Sequence, residues 1–358
     1  AIIFYKDESH HYYEYFRKFF AGNLKVCQKR VEMLEKCIDP NADVQVMLET
    51  MLKSDDEQLL IDMNVLVTEM GEFYLVEFLC RRLCQLDPKN LMYISWLANA
   101  VQHQGNYEEA ERLYRKCWEI RKKALGESNR LTLDSLNNLA NTVLDKGNYE
   151  EAEKLHRACF KAYEQLEGRM DPNTLQSLNN LANAVLGQGN YEEAEHLHRE
   201  CFEGRKKLLG EMDSNTLQSL NNLAVTVKNQ ANYVKAEKLH RECLKGRTKT
   251  LGEIHPSTLT SLNNLASTIH KQGKYTKAEK LHRECLIRRK EKLGEIHPST
   301  LDSLNNLALT VKNQGKHKEA ENLHRECLSG RKKIFGELHP DTLESLHNLA
   351  IAMKEQGN

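Results

Sequence analysis

The chain has 358 residues, with 51 Lys and Arg set against 51 Asp and Glu, so its formal charge is zero. That balance argues against a general nucleic-acid binder, which is normally basic. No apolar run approaches the roughly 18 residues of a membrane span, and 28% charged with 7% aromatic residues is ordinary for a soluble helical protein.

Residues 1–54 show no repeat and read as three helices. His10 to Phe20 is rich in aromatics, Leu24 to Ile38 carries Val31, Leu34 and Ile38 on one stripe, and Val44 to Leu52 follows the turn Asp39-Pro40-Asn41. Two readings fit this stretch: an N-terminal helical cap, which a repeat array needs to cover its end, or a docking segment. Residues 55–90 form a degenerate repeat, because Gly71-Glu72-Phe73 stands 34 residues before Gly105-Asn106-Tyr107.

Residues 91–358 are periodic. The phrase Ser-Leu-Asn-Asn-Leu-Ala begins at Ser135, Ser177, Ser219, Ser261 and Ser303, and returns at Ser345 as Ser-Leu-His-Asn-Leu-Ala, each step being 42 residues. A fixed period of this size predicts a solenoid whose units stack on their neighbours. Within one unit, Asp171-Pro172 starts a helix. Leu175, Leu178, Leu181, Ala182 and Val185 give it one apolar stripe. Gly189-Asn190 breaks it, and a second helix from Tyr191 turns Ala194, Leu197, His198, Cys201 and Phe202 inward. Arg205, Lys206 and Lys207 suit the negative end of that helix, and Gly210 is expected in a left-handed position that closes it. The last unit ends after its first helix, which leads to the expectation that the sequence is part of something longer.

The pattern Leu-Ala followed by Gly-Asn-Tyr-Glu-Glu-Ala (Gly147 to Ala152) resembles the tetratricopeptide repeat. The 42-residue period, Asn-Asn-Leu-Ala and Leu-Gly-Glu-Ile-His-Pro (Leu251 to Pro256) are similar to the branch found in kinesin light chains and nephrocystin-like proteins. The resemblance implies an all-α, right-handed superhelical solenoid with first helices lining a concave groove. It further implies that the second asparagine of each pair, Asn138, Asn180, Asn222, Asn264, Asn306 and Asn348, points into the groove and grips an extended peptide backbone. An amide suits that task because it donates and accepts. The competing reading is that these amides bond between neighbouring helices and set the superhelix.

Six residues beyond each second asparagine the chain reads Leu144, Leu186, Lys228, His270, Lys312 and Lys354, with Gln102 aligned before them. The C-terminal half of the groove is therefore expected to be basic, helped by Lys271, and to favour an acidic peptide end; a solvated lysine row is the plainer reading. Cys117, Cys159, Cys201, Cys243, Cys285 and Cys327 recur one repeat apart and read as small buried core residues. Equivalent sites on successive units lie too far apart for disulfides, so a reducing, cytoplasmic compartment is expected. His156, His198, His240, His282 and His324 precede five of those cysteines by three residues. Identical copies argue against catalysis and for rings packed between helices with a hydrogen bond. His255, His297 and His339 precede prolines and are expected to cap the next helix. Cys80 and Cys84 have no second pair to complete a metal site.

No catalytic residue, metal site or cofactor is predicted. The expected function is a non-enzymatic scaffold or adaptor binding an extended, partly acidic segment of a protein partner. The alternatives are a permanent subunit of a multi-subunit complex, or the sensor arm of a signalling ATPase.

Overall fold

A computed structural model describes residues 56–70, 73–337 and 339–355. The expectations for 1–54 lie outside the described residues. The described chain is all-α and divides into two units at Asn148 and Tyr149. In the first unit, α1 (Glu57–Met70) and α2 (Phe73–Leu86) form the degenerate pair, followed by α3 (Leu91–His103), α4 (Tyr107–Leu125) and α5 (Arg130–Asp145). In the second, α6 (Tyr149–Glu167) leads into α7 (Pro172–Gly187), α8 (Tyr191–Leu209), α9 (Ser214–Asn229), α10 (Tyr233–Leu251), α11 (Pro256–Lys271), α12 (Tyr275–Leu293), α13 (Pro298–Lys312), α14 (His317–Phe335) and α15 (Pro340–Lys354). Within each unit every helix packs on the next in sequence.

Local chemistry sets these boundaries. Asp171 accepts from the Asn173 amide at 2.8 Å at the start of α7, with Pro172 in its first turn. His255, His297 and His339 do the same work through Nδ1, which accepts from Ser257, Ser299 and Asp341 amides at 3.1–3.2 Å. An accepting Nδ1 fixes these rings in the neutral tautomer protonated at Nε2. Gly210 has φ +91° with ψ 163°, so it is extended rather than left-handed helical, and only its positive φ matches the expected cap. The turn between paired helices needs a positive φ, which Gly189 supplies at +81°, whereas Ala231 adopts +60° in the equivalent place.

Packing alternates leucine with small residues. In one layer Leu217, Leu220, Leu223 and Val227 of α9 meet Ala236 and Cys243 of α10, and Phe202 of α8 closes the layer from the other side. Cys201, Cys243, Cys285 and Cys327 are buried free thiols whose S–H groups donate to leucine carbonyls at 3.3–3.4 Å, with serine hydroxyls of the next repeat at 3.3–3.5 Å.

One row lies deeper than the sequence indicated. Arg205, Arg247, Arg289 and Arg331 are buried rather than solvated at helix ends. Arg247 of α10 donates through Nη1 to the Ser257 carbonyl at 2.9 Å and Ser261 Oγ at 3.0 Å on α11, and through Nη2 to Gln218 Oε1 at 2.6 Å on α9. One guanidinium thus ties three consecutive helices. Arg205 repeats all three bonds with Asn215, Ser219 and Gln176. The planar fork makes these bonds without rearrangement, which a lysine ammonium cannot match.

His156, His198, His240, His282 and His324 are packed between helices as expected, but in four of them the expected hydrogen bond is missing. Both ring nitrogens of His156, His198, His240 and His324 are buried with no partner among the described residues. Burial lowers the pKa of His156, His198 and His324 to about 4, with Lys312 adding to the effect at His324. It lowers His240 to about 3, helped by Lys228 and Arg247, and His282 to about 3, helped by His270 and Arg289. These rings are neutral in the fold and charge only when it opens.

Three outcomes are expected. Ala231→Gly relieves a left-handed alanine and raises stability by about 1 kcal/mol in denaturant unfolding; no gain means that the turn is unstrained. Arg247→Met strands the Ser257 carbonyl and Ser261 hydroxyl and costs about 2–4 kcal/mol, against about 0.5 kcal/mol or less for exposed Lys249→Ala. For the histidines the folded pKa lies below the unfolded value of about 6.5, so the unfolded chain binds more protons. Stability then falls as pH drops from about 6.5 toward the folded values. Near pH 5, replacing His198 and His240 by Leu reduces the slope of stability against pH by about 1.4 kcal/mol per pH unit for each ring removed; an unchanged slope sinks this assignment.

Candidate functional site

The first helices of the second unit bring the predicted asparagines into one row. Asn222 Nδ2 donates to Asn179 Oδ1 at 2.9 Å, Asn264 to Asn221 at 3.1 Å, Asn306 to Asn263 at 3.2 Å and Asn348 to Asn305 at 3.2 Å. The second asparagine of one repeat therefore donates to the first asparagine of the repeat before it. The row joins the arginine ties, because Gln218 Nε2 donates to Asn222 Oδ1 at 2.9 Å and Gln176 Nε2 to Asn180 Oδ1 at 2.8 Å. Asn138, in the first unit, is half-buried, and its carbonyl accepts from Thr142 Oγ1 at 3.0 Å.

A primary amide carries two N–H donors. The ladder uses one donor on each of Asn222, Asn264, Asn306 and Asn348. Sequence reasoning passed over the first asparagines as ladder acceptors, and over Gln176 and Gln218 as relays. The signal available for them was the doublet itself, since a single asparagine per repeat would suffice for a peptide contact.

The predicted basic residues sit in the last turns of the first helices. Lys228 and His270 are half-buried, the Lys312 side chain is 17% exposed, and Lys354 and Lys271 are exposed. Lys312 approaches Glu355 at 3.8 Å, and Glu355 also lies 3.5 Å from His317. His270 reaches into the next repeat, with Nδ1 2.9 Å from Thr310 Oγ1 and Nε2 3.1 Å from Asn313 Nδ2. Thr310 spends its own proton on the Asn306 carbonyl at 2.7 Å. Its oxygen therefore accepts from His270 Nδ1–H, and His270 Nε2 accepts from Asn313. Burial, then Lys271 and Lys312, lower the His270 pKa. Burial, then Lys271, lower that of Lys228. Gln102 in the first unit has the same register, with Oε1 3.0 Å from Thr142 Oγ1 and Nε2 donating to Asp145 at 2.7 Å.

The opposite faces of the second helices are charge-paired. Glu195 contacts Arg199 and Lys235 at 2.6 and 2.7 Å, and Glu279 contacts Arg283 and Lys316 at 2.8 Å each. Burial would raise the pKa of both carboxyls, but hydrogen bonds from these cations and from Gln230 and Gln314 hold them near 2. Among the described residues no helix is long and apolar enough to cross a membrane.

A tetratricopeptide repeat model matches residues 90–165, 131–207, 173–249, 215–291, 257–333 and 299–358. No curated protein matches the sequence. Among solved structures, a putative kinesin light chain with nearly identical TPR-like repeats from Podosopora anserina is 26% identical. It covers 56% of this chain and 95% of its own, with a TM-score of 0.50. BtubC (BKLC) from P. vanneervenii is 23% identical over 68% of this chain and 95% of its own, with a TM-score of 0.50. A STAND protein with a tetratricopeptide repeat sensor from Pyrococcus horikoshii is 20% identical over 81% of this chain and 44% of its own, with a TM-score of 0.56. The last two likenesses concern the fold.

Proposed function

The chain belongs to the tetratricopeptide repeat family, whose arrays serve as protein–protein interaction scaffolds, and on that premise we propose that it binds an extended, partly acidic segment of a partner protein along its first helices. Asn138, Asn180, Asn222, Asn264, Asn306 and Asn348 contact the segment's backbone, and Lys228, Lys312 and Lys354 read acidic side chains toward one end, while His270, expected from the sequence to join them, has both ring nitrogens spent on Thr310 and Asn313 and lines that edge as a fixed ring. The observation that carries this reading is Lys228. It is half-buried and makes no ion pair among the described residues, whereas Glu195 and Glu279 are each held by two cations and the buried Arg205 and Arg247 by three hydrogen bonds apiece. The spare N–H of each ladder amide adds a row of donors at the spacing of the repeats. No reaction is assigned to the chain. The buried free thiols Cys80, Cys117, Cys159, Cys201, Cys243, Cys285 and Cys327 fit a reducing, cytoplasmic setting.

The test is fluorescence anisotropy of the whole chain with degenerate twelve-residue peptide pools that are acidic, neutral or basic at their fixed positions. The acidic pool binds most tightly, and Lys228→Glu with Lys312→Glu weakens it by about tenfold or more at low salt with helix content unchanged. Equal binding of the three pools, or an acidic pool indifferent to the double variant, rejects the reading.

A further inference from the structure

We propose that Lys228 and Lys271, beside the fixed ring of His270, form an anion subsite on this face that takes a phosphomonoester carried by the bound segment, a phosphoserine or phosphothreonine side chain. The inference rests on the peptide-binding reading above and adds the chemistry of one side chain to it.

Lys228 ends α9, and His270 and Lys271 end α11, the next first helix. Lys271 stands 43 residues after Lys228, the register at which Gln102 meets Asp145 at 2.7 Å, His270 meets Asn313 at 3.1 Å and Lys312 meets Glu355 at 3.8 Å, so the two lysines are neighbours across successive first helices. The charged and titratable groups around the spot are Lys271 beside His270, Lys312 from α13, and His282 from α12 behind the ring. His240 lies behind Lys228, and the Tyr275 ring packs 5.2 Å from that of His270. No carboxylate belongs to this set. Of the carboxylates nearby, Glu355 is shared by Lys312 and His317, and Glu237 is taken up by Gln272, Arg241, Lys274 and Lys277.

The fold does not require a cation here. Leu144 and Leu186 hold the register of Lys228 in preceding repeats. Gln102 holds it beside Asp145, where the position of Lys271 is acidic and already hydrogen-bonded. Helix ends favour a lysine through the helix dipole, and this accounts for exposed Lys207, while half-buried Lys206 is paired with Glu211. It does not account for a half-buried ammonium set against a second one, because burying an unpaired charge is unfavourable.

A phosphomonoester carries a charge of about −1.5 to −2 near neutral pH and three strong acceptor oxygens. That matches two lysine ammonium groups, whereas one carboxylate matches a single one. His270 Nδ1 and Nε2 are both engaged by α13 and its C-cap, so the ring stands fixed beside the subsite rather than rotating freely.

The experiment uses the whole chain and three degenerate twelve-residue peptide pools that differ only at a fixed central residue: phosphoserine, glutamate or serine. The phosphoserine pool is expected to bind about tenfold more tightly than the glutamate pool, with the serine pool weakest. Lys228→Met with Lys271→Gln is expected to bring the phosphoserine and glutamate pools level. Met is chosen because Leu144 and Leu186 show that an apolar side chain fits, and thermal melting checks that the fold is kept. Phosphoserine and glutamate pools that bind alike to the unmodified chain overturn the subsite while leaving the peptide-binding reading in place. A preference that survives the double variant places the anion elsewhere and also overturns it. Failure of all three pools to bind overturns the peptide-binding reading itself.

Discussion

The buried arginine is the interaction on which the second unit most depends. Arg205, Arg247 and Arg331 each reach from a second helix back to the first helix of their own repeat and forward to that of the next. A solenoid has no long-range core, so its rigidity comes from what each repeat does to its neighbour. Leucine and alanine fill the space between helices without fixing their angle. A planar, fully charged group with several donors in fixed directions holds that angle, because each displaced bond leaves a buried polar group unsatisfied. Arg289 departs from the pattern, since Thr260 stands where Gln176 and Gln218 stand. Its ties are to the next repeat alone, at the Ser299 carbonyl and Ser303 Oγ.

The same logic links architecture to recognition. Arg247, Gln218, Asn222 and Asn179 form one continuous hydrogen-bonded path that runs from the buried arginine through exposed Gln218 and half-buried Asn222 to the buried Asn179. The asparagines proposed to meet a peptide are therefore already positioned by the scaffold, and a bound segment meets donors whose side-chain entropy was lost on folding. Preorganisation of this kind increases affinity by lowering the ordering cost of binding. It also means that alanine substitutions in the ladder act on stability and binding together. For that reason the lysines, which the ladder does not use, are the cleaner probes of recognition.

Polar groups in the interior divide into two kinds. Where Arg205, Arg247, Arg289 and Arg331 stand, the cysteine, serine and arginine satisfy one another, while His156, His198, His240 and His324 are held as neutral rings with no partner among the described residues. Tyr114 fills the same place as the histidines in the first unit, also buried. The position thus demands a ring of suitable size, and the histidine rings make the array's stability respond to acid.

The sequence by itself determined the repeat, its helix pairs, its capping residues and its small-residue contacts, because each depends on groups a few residues apart or on strict recurrence. Asp171, His255 and Ala194 could be read that way. It also marked the apolar positions that are buried, but neither the buried arginines nor the pairing of any buried group. Arg205 was legible as the last turn of a helix, and a helix dipole is a sufficient local reason for an arginine there. Only the tertiary structure decided that it turns inward, because its three acceptors, on Gln176, Asn215 and Ser219, lie 29 residues before it and 10 and 14 residues after it in the chain. The same distance hid the first asparagines, whose partners lie 43 residues away. The missing carboxylate beside Lys228 was hidden as well, since a formal charge of zero says nothing about which charges meet.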